Sequence, residues 1–215
     1  MKSSALAFFL LWAAALSGQE PFRVSLSAGL GWAGQTHELT PIDYRLETRM
    51  VGTPVLSLAG TGSLSPRLSY RLALSYAAKG SSTDVLWVRV NHENGDRIEV
   101  ETGEDRASRF HYLSLAPTLQ VPLLAGPLRP YVWAGPRIDV LLAYRTESED
   151  PLEEQNKVLA GVDAGCGVRL ERAGWTPFVE CGTHWDAVPV WGQDPLRIRN
   201  RMVAISFGAT VPLSR

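Results

Sequence analysis

The sequence predicts an all-β fold, an eight-stranded antiparallel up-and-down barrel that crosses a membrane. Three observations lead to it. Eight segments alternate apolar and polar residues with a period of two. Their polar faces consist mainly of small residues with few charges. The connections alternate between short and long, as in outer-membrane barrels, which have tight periplasmic turns and extended outer loops.

Residues 1–18 are predicted to be a secretory signal peptide, followed by one barrel domain at 19–215. Lys2 supplies a positive charge, ALAFFLLWAAAL at 5–16 is apolar, and small residues suited to cleavage follow. The apolar run falls short of the ~20 residues that a spanning helix needs. No cysteine stands directly after it, at the position where a lipid anchor would be attached, which disfavours such an anchor. A closed barrel is then the one route into a membrane, because lipid tolerates no open sheet edge.

The first four predicted strands show the alternation most plainly. In FRVSLSAGLGWA, Leu26 and Leu30 oppose Ser25 and Ser27. Similar patterns follow along the chain. The eight segments lie at 22–33, 53–65, 67–80, 111–123, 130–145, 157–171, 176–190 and 200–213.

The fifth strand, PYVWAGPRIDVLLAYR, carries two opposite charges in an otherwise apolar segment. Arg137 and Asp139 share one face, and the other face is apolar: Val132, Ala134, Ile138, Val140, Leu142 and Tyr144. In a soluble sandwich the charges would face water and the apolar side chains the core. In a membrane barrel the assignment is inverted, with the apolar face toward lipid and the charges in the lumen.

The polar faces of all eight strands, taken together, favour the barrel. A solvated sheet face normally carries many Lys and Glu, whereas here Ser, Gly, Ala and Thr dominate and the charges are balanced in sign. Such a face suits the interior of a narrow barrel. The alternative is a soluble sandwich or a lipocalin-like barrel, because antiparallel sheets alternate in either solvent. We predict a lumenal polar network of Arg71, Arg137, Asp139, Asp163, Arg169, Glu180, His184 and Asp186.

Aromatic residues near the strand ends suggest girdles at the two membrane interfaces. Tyr131, Trp133 and Trp175 lie beside short connections, and Trp185 and Trp191 lie toward the opposite end.

The two cysteines, Cys166 and Cys181, lie on the predicted lipid side. A two-residue turn at Ala173–Gly174 would place them directly opposite each other, whereas a type I turn with a Gly bulge would shift the register. An exported protein can oxidise such a pair to a disulfide, and two free thiols are the equal alternative. No histidine or third cysteine shares their spacing, so we expect no metal site and no cofactor.

His184, Asp186 and Glu180 share the polar face of strand seven, and Ser206 lies on that face of strand eight. Such a trio would suit a lipid hydrolase. A lumenal network that pairs charges in a low dielectric is the favoured interpretation, and we predict that the protein is not an enzyme.

The long connection after strand three, 81–110, reads as a hairpin that extends strands three and four above the membrane. Alternating residues flank HENGD, in which Asn94–Gly95 would form the turn. Because long structured loops are where barrels bind partners, this segment is the best candidate for a contact surface. A shielding loop without a partner is the alternative.

Several motifs together resemble the PorT-type outer-membrane β-barrel family of Bacteroidota-like bacteria: YAAKG (76–80), YLSLAPTL (112–119), RPYVWAGPRIDVLLAYR (129–145), VDAGCGVRLE (162–171), PFVECGTHW (177–185) and RMVAISFGATVPL (201–213). The chain departs from the family where Ala73 and Ser114 replace a frequent lumenal Glu, and in ending without an aromatic residue. The resemblance implies an outer-membrane barrel in contact with lipid, without implying one activity. A secretion-accessory role, through a partner of the secretion machinery or an extracellular one, would follow by analogy with the namesake.

The charge balance excludes one class of partner. Lys and Arg number 21 against 22 Asp and Glu, a net charge of -1, so the sequence lacks the basic excess of a nucleic-acid-binding domain. An open porin is also disfavoured, because eight strands enclose only side chains. We expect a structural, binding or accessory protein of the outer membrane, with a lipid-modifying enzyme as the alternative.

Overall fold

The computed structural model describes residues 22–39, 44–90, 98–146, 156–193 and 196–213, so the predicted signal peptide lies outside the described residues. These ranges contain no helix long and apolar enough to cross a membrane. The strands that they form are β1 (Arg23–Leu39), β2 (Tyr44–Glu47), β3 (Val51–Ser65), β4 (Leu68–Val90), β5 (Ile98–Pro122), β6 (Leu128–Thr146), β7 (Val158–Leu170), β8 (Thr176–Asp186), β9 (Trp191–Gln193) and β10 (Leu196–Pro212).

Eight of these strands form a closed antiparallel barrel. The long strands pair with their neighbours in chain order, and β1 pairs with β10 from Arg23↔Pro212 to Leu39↔Leu196. The short strands β2 and β9 add to β1 and β10 near one end. The predicted eight-stranded up-and-down barrel is therefore confirmed. Closure removes the open edges that lipid would not tolerate.

The two ends of the barrel differ. The connections at 66–67, 123–127 and 171–175 are short and define what we call the short-turn end, where the Leu213 amide also donates to the Phe22 carbonyl at 2.8 Å. The connections after β1, β4, β6 and β8 meet at the opposite, long-loop end. By the general rule for such barrels, the short-turn end is periplasmic.

The outer face is apolar and exposed along every long strand. Leu26 is 67% exposed and Phe207 63%, whereas the alternate residues Ser25 and Ser27 are buried inside. A continuous belt of this kind is far larger than the apolar patches of soluble monomers, so it is the lipid-facing surface. Each of the eight strands contributes to it: Leu26, Leu56, Leu74, Leu119, Ile138, Val162, Val179 and Phe207.

The predicted aromatic girdles hold only in part. Trp175 and Trp185 are exposed near opposite ends of β8, as the prediction requires. Tyr131 and Trp133, however, are buried, and the girdle prediction was wrong for them. The physical reason is the period of two in β6, which sends these residues to the same inner face as Arg137. The side chain of Trp191 lies outside what the structure describes.

Strands β4 and β5 continue as a two-stranded ladder past their described pairs with β3 and β6. β3 follows β4 only to Val55↔Ala77, apart from one bridge at Arg49↔Ser82, and β6 joins β5 at Ser108↔Thr146. The β4–β5 ladder nevertheless runs on to Val90↔Ile98. At about 3.4 Å per residue, the segment from Thr83 to Val90 spans roughly 25 Å. The predicted Asn94–Gly95 turn falls outside the described residues.

Candidate functional site

Two cations and two carboxylates form a buried network in the lumen near the long-loop end. Lys79 Nζ contacts Asp139 Oδ2 and lies 3.1 Å from Asp186 Oδ1. Arg137 Nε lies 2.9 Å from Asp139 Oδ1, and Arg137 Nη2 contacts Asp186 Oδ1. All four side chains are at most 1% exposed. The two positive and two negative charges balance each other within this set of four residues, which we call the plug.

Neutral polar side chains extend the plug across the barrel. Asn200 Nδ2 donates to Asp186 Oδ2 at 2.9 Å, and Gln35 Nε2 donates to Asn200 Oδ1 at 3.0 Å. Ser81 Oγ donates in turn to Gln35 Oε1 at 2.8 Å. Below this chain, Lys79 Nζ lies 5.0 Å from the centre of the Tyr112 ring. The lumen at this level is therefore filled by hydrogen-bonded side chains rather than by a channel.

Lys79 is the plug residue that the sequence analysis missed. The period of two that placed Arg71 inside also places Lys79 inside, since eight residues separate them in one strand. The signal was therefore present, but Lys79 lies near the end of the predicted strand and reads as part of a loop. Asn200 and Gln35 carry no charge and gave no comparable signal.

A second cluster lies closer to the short-turn end. Arg71 Nη1 donates to Glu180 Oε1 at 2.6 Å, and the Tyr131 hydroxyl donates to the same oxygen at 2.7 Å. The Arg71 guanidinium lies 5.7 Å from the centre of the Trp133 ring. All four side chains are buried. This cluster makes a second side-chain layer across the lumen.

Between the two layers lies a small polar cavity of about 50 Å³, lined among others by Asp163, His184 and Ser206. It has room for a few water molecules. His184 Nδ1 lies 3.5 Å from Asp163 Oδ1, while Asp186 is engaged by the plug. Of the residues that could form the predicted hydrolase trio, Glu180, His184 and Ser206 thus line this internal cavity. In the described residues no three His, Cys, Asp or Glu side chains group as metal ligands would.

Arg169, the remaining predicted network residue, lies at the short-turn mouth. Its Nε is 3.0 Å from Glu171 Oε1, and its guanidinium lies 5.5 Å from the centre of the Tyr131 ring. Arg23 and Arg129 approach the same carboxylate at 3.5 and 3.7 Å. Three arginines therefore share one glutamate at this mouth.

Cys166 and Cys181 lie on the outer face. The β7–β8 register pairs them directly, as predicted. In the connection at 171–175, Gly174 has a φ of +85°, a backbone conformation that favours glycine. Both are free and exposed.

Mild oxidation is expected to join Cys166 and Cys181 while the barrel stays folded, because directly opposed residues bring their Cβ atoms within about 5.5 Å. Copper–phenanthroline takes up the two electrons, and the loss of two titratable thiols measures the reaction. The Cys181→Ser variant is the control. A one-residue slip would turn the two side chains to opposite faces, so retention of both thiols would contradict the register.

The comparisons with known proteins agree with this architecture. No protein-family model matches the chain, and the search of curated proteins found no match. Among solved structures, the chain is similar to the outer membrane protein OprG from Pseudomonas aeruginosa, with a TM-score of 0.52 and 11% identity, covering 91% of this chain and 99% of that one. It is also similar to Neisserial surface protein A, with a TM-score of 0.51 and 10% identity, covering 89% and 97%.

At such identities the likeness concerns the fold. Joined to the apolar belt and the charged lumen, it decides between the soluble and the membrane interpretations. The chain is an integral outer-membrane β-barrel protein. The barrel also shows a weaker likeness to the outer membrane protease OmpT from Escherichia coli, with a TM-score of 0.47, 8% identity and coverage of 91% and 98%, which is too low to bear on activity.

Proposed function

We propose that the protein is a non-enzymatic outer-membrane scaffold with a sealed lumen, whose β4–β5 hairpin contacts a partner outside the cell. The observation that carries this proposal is the ladder from Ser82↔Ala107 to Val90↔Ile98, which extends past the described pairs of β4 with β3 and of β5 with β6. Such an extension adds nothing to the closure of the barrel. Structured segments of this kind are where barrels bind other molecules.

The plug supports the part of the proposal that concerns transport. Lys79, Arg137, Asp139 and Asp186 fill the lumen and are almost completely buried. A second layer follows at Arg71 and Glu180. Ions or solutes would have to displace both layers, and breaking buried ion pairs is costly. The barrel is therefore proposed to support a surface rather than a passage.

The chemistry of the lumen supports the non-enzymatic part. His184 and Ser206 line an internal cavity of about 50 Å³, which is smaller than the pockets that take up drug-sized ligands. A lipid substrate would approach from the opposite, apolar face.

The backbone of the hairpin suggests how a partner is held. Residues 83–90 and 98–107 pair with each other only, as far as the described pairs extend. Two free strand edges of this kind accept an added strand. By charge, the two segments contain five acidic and two basic residues, so an extended, basic segment is the partner that fits. The PorT-type resemblance suggests a component of a secretion apparatus as its source.

A photo-crosslinking amino acid at position 87 tests the proposal in living cells. We expect one discrete covalent adduct there, and none with the same probe at position 67, which lies at the short-turn end. The adduct should disappear when an excess of a basic extended peptide is added outside the cell. Absence of an adduct at 87 in a correctly inserted barrel would contradict the proposal.

A further inference from the structure

The short-turn mouth contains a cavity whose walls are unusually positive. Its volume is about 30 Å³, and Arg23, Arg71 and Arg169 contribute to its lining. None of its nine lining residues is acidic. The charge of Arg71 is balanced by its ion pair with Glu180, which is not among the lining residues of this cavity. At the rim, Arg23, Arg129 and Arg169 share Glu171 alone, which leaves a net charge of about +2 by formal count of these four side chains.

The wall also holds buried polar groups that lack partners. Arg71 and Arg169 both line the cavity, and the Nε atom of each is buried without a hydrogen-bond partner. Gln120 and Thr176 add two polar side chains to the same wall and are each only 5% exposed. Buried donors are normally satisfied. Two unsatisfied guanidinium donors on the wall of one positive cavity therefore point to a ligand that accepts hydrogen bonds.

From these observations we propose that the short-turn mouth binds a small oxyanion, the carboxylate or phosphate group of a periplasmic molecule. Arg23 and Arg169 supply guanidinium groups, whose forked N–H donors match such anions. Gln120 and Thr176 complete the wall with neutral donors. The volume accommodates about two water molecules, which is close to what one carboxylate displaces. The cavity lies at the opposite end from the hairpin, so this inference is independent of the proposed contact surface.

Glu171 is expected to act as an internal competitor for this anion. Its carboxylate occupies the guanidinium groups of Arg23 and Arg169 at 3.5 and 3.0 Å. Removing its charge should free both arginines. An anion site therefore predicts that loss of an arginine weakens anion binding and that loss of the Glu171 charge strengthens it. A purely structural role for these residues predicts no such opposite effects.

The test is isothermal titration of the refolded, full-length barrel in a phospholipid-free detergent, with inorganic phosphate and with acetate against chloride at equal ionic strength. We expect saturable binding of at least one anion. Arg169→Gln should weaken it by about tenfold, the usual effect of losing one charge-assisted hydrogen bond. Glu171→Gln should strengthen it several-fold. Arg67→Gln, which removes an exposed arginine at the same end, should leave it unchanged within twofold.

Unboiled electrophoresis confirms the fold of each variant, and Arg23→Gln replaces Arg169→Gln if the latter does not fold. Short-chain phosphatidylglycerol then distinguishes a lipid head group from a soluble anion as the ligand. If this lipid competes with inorganic phosphate for the site, the ligand is a lipid head group; if it does not, the ligand is a soluble anion. Either result upholds the site. The proposal is overturned if neither anion binds saturably to the wild type, or if Glu171→Gln fails to strengthen binding.

Discussion

Replacing Asp139 with Asn is expected to lower the free energy of unfolding by about 3–5 kcal/mol, the usual cost of removing one partner from a buried ion pair. Lys79 and Arg137 would then face Asp186 alone, leaving one positive charge uncompensated in a region that is at most 1% exposed. Urea unfolding in lipid vesicles, followed by tryptophan fluorescence, measures the change.

A double variant separates charge balance from local damage. Lys79→Met together with Asp139→Asn restores neutrality, so the pair should couple by about 0.5–3 kcal/mol and be less damaging than the two single changes added together. Glu38→Gln is the matched control. It breaks a half-exposed pair with Arg199 and should cost about 0–1 kcal/mol. A loss below about 1 kcal/mol in Asp139→Asn would contradict the buried plug.

Replacing Leu58 with Arg is expected to cost about 2–4 kcal/mol, the penalty for arginine near the bilayer midplane on the outside of a barrel. Leu58 lies in the middle of β3 and pairs with Leu26 on one side and Leu74 on the other. All three side chains are exposed. On a soluble surface the same substitution would change stability by only about 0.5 kcal/mol.

The control for Leu58 is Leu128, an equally apolar and exposed residue at the short-turn end of β6. Leu128→Arg should cost only about 0–1 kcal/mol, since the penalty falls toward the interface. Vesicle unfolding of the two variants side by side gives the difference. Equal effects at the two positions would mean that depth in the membrane does not govern this face.

The period of two made most of the fold predictable from the sequence. It located all eight barrel strands and placed Arg137 and Asp139 inside, because side chains alternate strictly between two solvents of opposite polarity. The prediction was wrong where aromatic character near a turn was given more weight than this alternation. Tyr131 and Trp133 are aromatic and close to a turn, which suggested an interfacial girdle, but their positions in β6 direct them into the lumen.

The contacts between the plug residues could not be predicted from the sequence. Asp186 on β8 meets Lys79 on β4 and Arg137 on β6, and these three strands are not neighbours in the sheet. The local alternation predicts which side chains point into the lumen. Which of these side chains contact each other across the lumen depends on the stagger of the strands and the closure of the whole barrel.

The most direct test of the sealed membrane barrel is the electrophoretic mobility of the protein extracted from the membrane fraction, boiled against unboiled. We expect recovery in the membrane pellet, with faster migration of the unboiled band because the closed barrel stays compact in detergent. Recovery in the soluble fraction with identical mobility would contradict it, and would place Arg137 and Asp139 on a solvated surface.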